Sequence, residues 1–334
     1  MEHPSVLVAS LGFANSMRGV SLLREKSEIA VFTKGLMNFT GERENITAIV
    51  LGDEPCGREV MSFYPNLKTI ARFGTGYNNV DVEAAREKSI VVTRVSSASA
   101  PLIAEGVSEY ALGLIIALSR NILYSHDLFI YQNKWSEARI TGRLLLELTV
   151  GIVGIGAIGA AIARKLHLLG VGKLIGYNRT PRNKVFEVAE ECRMKLTNLA
   201  DVFWRSDVIV LSLALTPETR GIISREILFR LNPQALLVNI ARGALVDEAA
   251  LVERLEKDRI GGVALDVFSS EPPFKEPFFK RLQDIMLRHR NVILTPHEAP
   301  LSRAAIEQVS ERTALNVIAV LEGRQDDGVE IVSV

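Results

Sequence analysis

The stretch Thr149-Val-Gly-Ile-Val-Gly-Ile-Gly-Ala-Ile-Gly159 constrains this chain more than any other. A β-branched run leads to Gly154 and small residues follow it, so a strand covered on both faces turns sharply into a closely packed helix. Gly154 permits the tight turn, Gly156 lets a pyrophosphate approach the backbone, and Gly159 lets helix and strand touch. The N–H groups that open the helix, at Ala157 and Ile158, lack intrahelical acceptors and sit at its positive end, which suits a phosphate. A bare GxGxxG is a weak signal. Here the helix runs to Gly170 and a second apolar strand, Lys173–Tyr177, follows, completing the unit that a dinucleotide fingerprint requires.

A chain of 334 residues exceeds what one hydrophobic core supports, so two domains are expected. Lys plus Arg and Asp plus Glu both count 39, so no overall basic field exists to recruit nucleic acid or anionic lipid, and an anionic ligand must be caught locally. Cys56 and Cys192 have neither metal-ligand nor CxxC spacing and read as reduced thiols, which favours the cytoplasm. The first residues carry no secretory pattern. The most apolar window, Leu144 to Ala163, is interrupted by Glu147, Thr149 and four glycines, so no membrane span is expected there.

Short apolar runs alternate with helix-like segments along the whole chain, the pattern of parallel sheets with helices on both faces. The first half offers strands at Val6–Ala9, Ile29–Phe32, Ala48–Leu51, Thr69–Arg72 and Ile90–Thr93. The second offers Val208–Leu213, Ala235–Ile240, Gly262–Val267 and Val292–Leu294. Asp81 is expected to cap a helix at Val82–Lys88, Asp247 one at Glu248–Glu256, and Ser224 one beginning near Glu226. From Val107 to Leu123 apolar residues recur at helical spacing, and a more polar continuation runs from Tyr124 to Trp135. Three prolines make Ser269–Pro277 a loop. The chain is expected to end on a helix, Ala304–Leu321, followed by a polar tail.

Arg242, Asp266, Glu271 and His297 each stand at or just beyond the end of an apolar strand in the second half. In a parallel sheet those ends share one edge, where the cofactor phosphates also lie. Imidazole moves protons near neutral pH, a carboxylate bonded to it stabilises its charged form, and an arginine offers a planar fork to a carboxylate. Taken singly each has a bland alternative, such as a surface ion pair for the arginine. Their convergence points to a site.

The segments Ala71–Asp81, Thr149–Gly159, Leu237–Asp247, Gly262–Phe268 with Glu271-Pro-Pro273, and Leu294-Thr-Pro-His297 together resemble the D-isomer-specific 2-hydroxyacid dehydrogenases. The resemblance covers nearly the whole chain. It implies an α/β fold of two doubly wound parallel-sheet domains with a cleft between them: a flavodoxin-like substrate domain from residues 1–103 and 300–334, and a Rossmann cofactor domain from residues 104–299. It further implies a homodimer. By position, Arg242 resembles the arginine that grips the substrate carboxylate and carbonyl, His297 the acid/base and Glu271 its partner. The backbone at Thr75 and Gly76 matches the substrate-carboxylate loop. Asp266 resembles an aspartate near the nicotinamide, and Leu213, Ala214, Thr219, Ile240 and Ala241 fall where the family lines the cofactor.

The place of the acidic residue that binds the ribose of NAD reads Tyr177-Asn178-Arg179-Thr180-Pro181-Arg182, so NADP is expected as the preferred cofactor with NAD possible. Arg72 ends the strand feeding the Gly74-Thr75-Gly76 loop and is expected to reach the distal end of a small polar 2-oxo acid such as glyoxylate or hydroxypyruvate. An ion pair within the fold is the alternative for Arg72. The competing function is a corepressor-like nucleotide sensor on the same scaffold. Three departures from the family pattern stand out: Ser96-Ser97 where a Pro-Gly-like turn is common, with about four extra residues in Ser99–Gly106 before the helix; Ala214 where proline is usual; and Glu298-Ala299-Pro300 after His297.

Overall fold

In the computed structural model, which describes residues 4–96, 98–135, 141–287, 291–324 and 330–333, the strands in chain order are β1 (Ser5–Ala9), β2 (Glu28–Val31), β3 (Ile46–Leu51), β4 (Thr69–Arg72), β5 (Val91–Arg94), β6 (Thr149–Val153), β7 (Lys173–Tyr177), β8 (Lys195–Leu196), β9 (Val208–Leu211), β10 (Leu236–Asn239), β11 (Gly262–Leu265), β12 (Val292–Leu294) and β13 (Glu330–Ser333). They form two sheets. The chain divides into two compact units, Met1–Ile103 with Pro300–Val334, and Ala104–Ala299.

The first unit carries the order β13-β5-β4-β3-β1-β2. Alternation along β1 sends Val6 and Val8 to one face with Ala48, Val50 and Ala71, packed with Ala314 and Val317 of the helix Arg303–Leu321. Leu7 and Ala9 join Ile49, Leu51 and Ile70 on the other face with Tyr64, Ala84 and Ala85. Both faces are buried, which is why these strands read as unbroken apolar runs. Each valine, leucine or isoleucine among them contributes about 1.5–3 kcal/mol by leaving water.

The second unit carries β12-β11-β10-β9-β6-β7-β8, with each neighbouring pair parallel. From β6 the chain lays β7 and β8 to one side and β9 to β12 to the other. That reversal makes the carboxyl ends of β6 and β9 the crevice where open α/β sheets bind ligands. The register aligns Val153, Leu211, Asn239, Leu265 and Leu294 in one row across five strands, so the loops that follow them leave from a common edge.

Several expectations need correction. The apolar helix begins at Pro101, so Pro101–Gly106 are its opening turn and a half and not a connection ahead of it. Proline at the first helical position loses no hydrogen bond, which local spacing of the apolar residues does not reveal. The helix stops at Ser119, and Asn121, at φ 52°, separates it from a second helix, Ile122–Gln132. The tail is not merely polar, for β13 pairs antiparallel with β5 and covers its free edge. Asp81 and Asp247 cap as expected, accepting from the Ala84 and Ala250 amides. Ser224 occupies the cap position of Arg225–Leu228 but donates its hydroxyl to Glu226 instead. Ser97 lies outside the described residues. Among the described residues one helix, Pro101–Ser119, is long and apolar enough by length and composition to cross a membrane, and half of that window is buried within the fold.

Candidate active site

The glycine turn meets two steric demands of its spacing and leaves the third position open. Gly154 holds φ +97°, and a Cβ there would lie 2.7 Å from the Leu213 backbone, so only glycine fits where β6 passes the end of β9. At Gly159 a Cβ would come within 2.0 Å of the Gly154 carbonyl oxygen, so this glycine brings the helix Ala157–Leu168 onto the turn. Gly156 faces open space, which is what a pyrophosphate against the backbone requires. Ser212 fixes the geometry by donating to the Gly154 carbonyl at 2.6 Å. These residues fit a dinucleotide.

Neighbouring residues hold this turn more than they face a ligand. Asn178 accepts from the Ile155 amide at 2.9 Å and donates to the Thr180 carbonyl at 2.8 Å, tying the end of β7 to the glycine loop. Both ends of its amide are thereby engaged, leaving Arg179, Thr180 and Arg182 as the exposed polar groups beside it. Arg179 reaches across to Glu218 at 3.2 Å and Thr216 at 3.4 Å. Its pairing contributes, after the Thr216 hydroxyl and the backbone, to holding the Glu218 carboxyl below the usual range. Thr219 is a correction: it is 3% exposed, accepts from the Thr216 amide and donates to the Ala214 carbonyl, so it shapes the loop and presents almost no surface to a cofactor. Ile240 and Ala241 are buried, while Leu213 is half-buried and Ala214 exposed at the edge.

His297 and Glu271 meet directly. The imidazole Nδ1 lies 2.9 Å from one Glu271 oxygen, and the other oxygen accepts from the Phe268 amide at 3.0 Å. Because a carboxylate only accepts, Nδ1 is the donor, which leaves Nε2 as the ring nitrogen that Glu271 does not engage. Both side chains keep partial access to solvent. His297 itself stands at φ 58°, a region that residues other than glycine seldom occupy. Asp266 maintains it: the Asp266 carbonyl accepts from the His297 amide at 2.8 Å, and its carboxylate accepts from Glu298 at 2.9 Å and Ala299 at 3.0 Å. Asp266 is fully buried, so the expectation that it faces the cofactor is corrected to a role beneath the loop.

Arg242 leaves β10 in an extended conformation and is half-buried. One of its N–H groups donates to the Ala241 carbonyl at 2.6 Å, and the rest of the fork finds no acceptor among the described residues. A guanidinium with unused, partly exposed donors suits an incoming carboxylate. Two neighbours that local patterning does not single out place it. Asn239, 1% exposed, donates to the Arg242 carbonyl and accepts from the Ala241 amide. Gly243 packs so closely on the Phe268–Ser269 backbone that a Cβ would lie 1.9 Å from it, binding the arginine turn to the loop that carries Glu271. Glu248 holds the same loop through the amide and hydroxyl of Ser269, and burial pushes its carboxyl above the usual range.

In the other unit, the Thr75 and Gly76 amides donate to no acceptor among the described residues, as a carboxylate-binding loop requires. Arg94 supports that loop by donating to the Thr75 carbonyl at 3.3 Å. Arg72 is corrected. Its side chain is 9% exposed and is spent on Asp53, Asn79 and the Leu51 and Phe73 carbonyls, so it holds the loop together within its own unit. We expect Arg72→Ala to lower activity uniformly across 2-oxo acids and to cost about 1–3 kcal/mol of stability, mostly through orphaned carbonyls, since Asp53 is 69% exposed. Thermal unfolding beside a substrate panel checks this; a loss confined to substrates with an anionic tail would contradict it.

A dinucleotide turn and a histidine–carboxylate pair on one sheet edge, with an arginine fork leaving the same edge, define an α/β nicotinamide-dependent dehydrogenase. Residues 112–299 match the model of the D-isomer specific 2-hydroxyacid dehydrogenase NAD binding domain. A glyoxylate reductase of Thermococcus litoralis is 32% identical over 288 residues, covering 84% of this chain and 82% of the relative. Among solved structures, an NADPH-dependent glyoxylate/hydroxypyruvate reductase of Sinorhizobium meliloti in complex with NADP and malonate superposes with TM-score 0.79 at 28% identity, covering 99% of this chain and 97% of that one. A D-lactate dehydrogenase of Aquifex aeolicus complexed with NAD and lactic acid reaches 0.83 at 25% identity, covering 98% of each chain. The chain belongs to the D-isomer specific 2-hydroxyacid dehydrogenase family and is an NAD(P)-dependent enzyme of that class. The corepressor-like alternative finds no support in these likenesses.

Proposed function

We propose that this enzyme reduces small 2-oxo acids, glyoxylate and hydroxypyruvate foremost, to D-2-hydroxy acids, preferring NADPH to NADH. The observation that carries the reading is the 2.9 Å pairing of His297 with Glu271 on the sheet edge from which the unsatisfied fork of Arg242 also emerges. In this reading Arg242 grips the substrate carboxylate and carbonyl oxygen. His297 donates its Nε2 proton to the 2-oxo oxygen as that oxygen gains charge, while Glu271 stabilises the imidazolium beforehand. The bound nicotinamide supplies the hydride. Small substrates are favoured by analogy with the glyoxylate reductase relative, Arg72 having no part in the choice.

For the cofactor, the neutral Asn178 at the end of β7, with Arg179, Thr180 and Arg182 exposed beside it, supports a 2′-phosphate. Asn178→Asp keeps an acceptor for the Ile155 amide and adds a negative charge where that phosphate would sit. We expect the kcat/KM ratio of NADPH over NADH to fall about tenfold or more, the scale of one charged contact. Measuring both cofactors with glyoxylate, hydroxypyruvate, pyruvate and a branched 2-oxo acid tests the whole reading. Equal or better kcat/KM with NADH in the unaltered enzyme, or a preference for branched acids, refutes it.

We further place the enzyme in the cytoplasm as a homodimer, without nucleic-acid or membrane partners. Its two cysteines are free and buried, in keeping with a reducing compartment. The helix Ile122–Gln132 and the residues after it expose Phe129, Ile130, Tyr131 and Trp135, an apolar set that supports contact with a second copy.

A further inference from the structure

Arg179, one of the groups proposed to meet a 2′-phosphate, already has an anionic partner in the fold. Its Nη1 donates to Glu218 at 3.2 Å and reaches the Thr216 hydroxyl at 3.4 Å. Thr216 in turn donates its hydroxyl proton to the same Glu218 oxygen at 2.6 Å. Arg179 follows β7 and Glu218 follows β9. In the order β9-β6-β7, Val153 is in register with both Leu211 and Tyr177, so these two loops leave the sheet edge on either side of the glycine turn. The ion pair therefore links the two loops that flank the phosphate turn.

Both partners stand on loops that the fold holds in place. Thr219 fixes the Glu218 turn by accepting from the Thr216 amide at 2.7 Å and donating to the Ala214 carbonyl at 2.7 Å. On the other side Asn178 ties the start of the Arg179 loop to the Ile155 amide at 2.9 Å. The remaining N–H groups of Arg179 donate to no acceptor among the described residues, so a phosphate can meet the open side of the guanidinium while Glu218 holds Nη1. One guanidinium then serves two anions. A 2′-phosphate must share that cation and feel the carboxylate's repulsion, whereas the neutral 2′-hydroxyl of NADH does neither. Specificity is a difference of two affinities, and a repulsive element beside an attractive one sets its size. We infer that Glu218 is a specificity-determining residue, which holds the preference for NADPH over NADH below what Arg179 would give by itself. This rests on the NADPH reading above. The effect is modest because the two side chains are 45% and 66% exposed, so water and salt screen them.

The test titrates the full-length enzyme with NADPH and with NADH, following nicotinamide fluorescence. Glu218→Gln keeps an acceptor for the Thr216 hydroxyl and removes the charge. We expect the Kd for NADPH to fall about two- to fivefold, the scale of one exposed ion pair, and the Kd for NADH to change far less. Raising the ionic strength from about 0.05 to 0.5 M should bring the NADPH values of variant and parent together, because the screening length shortens. Glu218→Ala should reproduce the gain. An unchanged ratio of the two Kd values in Glu218→Gln overturns the inference, and so does weaker NADPH binding, which would make the carboxylate a support for Arg179. If Arg179→Ala leaves the Kd for NADPH unaltered, the phosphate assignment beneath the inference fails and takes the inference with it; that outcome is read from a separate variant.

Discussion

His297→Ala lowers kcat for 2-oxo acid reduction by about 10²–10⁴-fold, the range that general acid–base catalysis contributes, and leaves NADPH affinity nearly unchanged. The separation follows from the fold: the imidazole hangs beyond β12, whereas the phosphate turn follows β6, four strands away in the order β12-β11-β10-β9-β6. Fluorescence titration of NADPH beside steady-state rates measures both. Glu271→Gln removes the charge that stabilises the imidazolium, while the Phe268 amide still finds an acceptor. Reduction takes a proton from this ring, so loss of its charged partner should lower kcat while NADPH affinity holds. Full activity in both His297→Ala and Glu271→Gln removes the pair from the mechanism.

Arg242→Ala should lower kcat/KM by about 10²–10⁴-fold, because two charge-assisted bonds at roughly 1.5–3 kcal/mol each disappear with the guanidinium. Most of the loss should fall on KM if the fork grips the carboxylate equally throughout, and on kcat if it tightens on the carbonyl oxygen during reduction. Arg242→Lys should recover only part, since an ammonium restores the charge without the planar fork. Folding should survive, for the side chain makes one protein hydrogen bond, to the Ala241 carbonyl, and the turn is held from the backbone by Asn239. A KM and kcat near those of the parent in Arg242→Ala would show that another group binds the carboxylate.

Much of the architecture was legible because it follows local rules. Strands buried on both faces read as apolar runs, and aspartates with a free amide three residues on read as caps at Asp81 and Asp247. The glycine turn was legible because each glycine answers a steric demand within a few residues of itself or at the adjoining strand end. The pairing of His297 with Glu271 was expected from the family resemblance, and the structure brings it about by letting both follow neighbouring parallel strands, β12 and β11. β13 was not legible: its partner β5 is remote in sequence, and a short edge strand needs no apolar face of its own.

What the sequence determined by itself is the placement of most of the apolar strands, the phosphate turn and the residue types able to grip a carboxylate and move a proton. Those depend on backbone sterics, side-chain period and intrinsic chemistry, all of which are local. Only the tertiary structure decided which polar residues are spent on the fold. Arg72 is consumed by Asp53, Asn79 and two carbonyls, Asp266 by the His297 loop, Thr219 by its own turn and the Asn178 amide by the glycine loop, while the Arg242 fork stays open. A side chain buried among partners must satisfy them before it can serve a ligand, and those partners come from segments that the linear sequence does not place side by side.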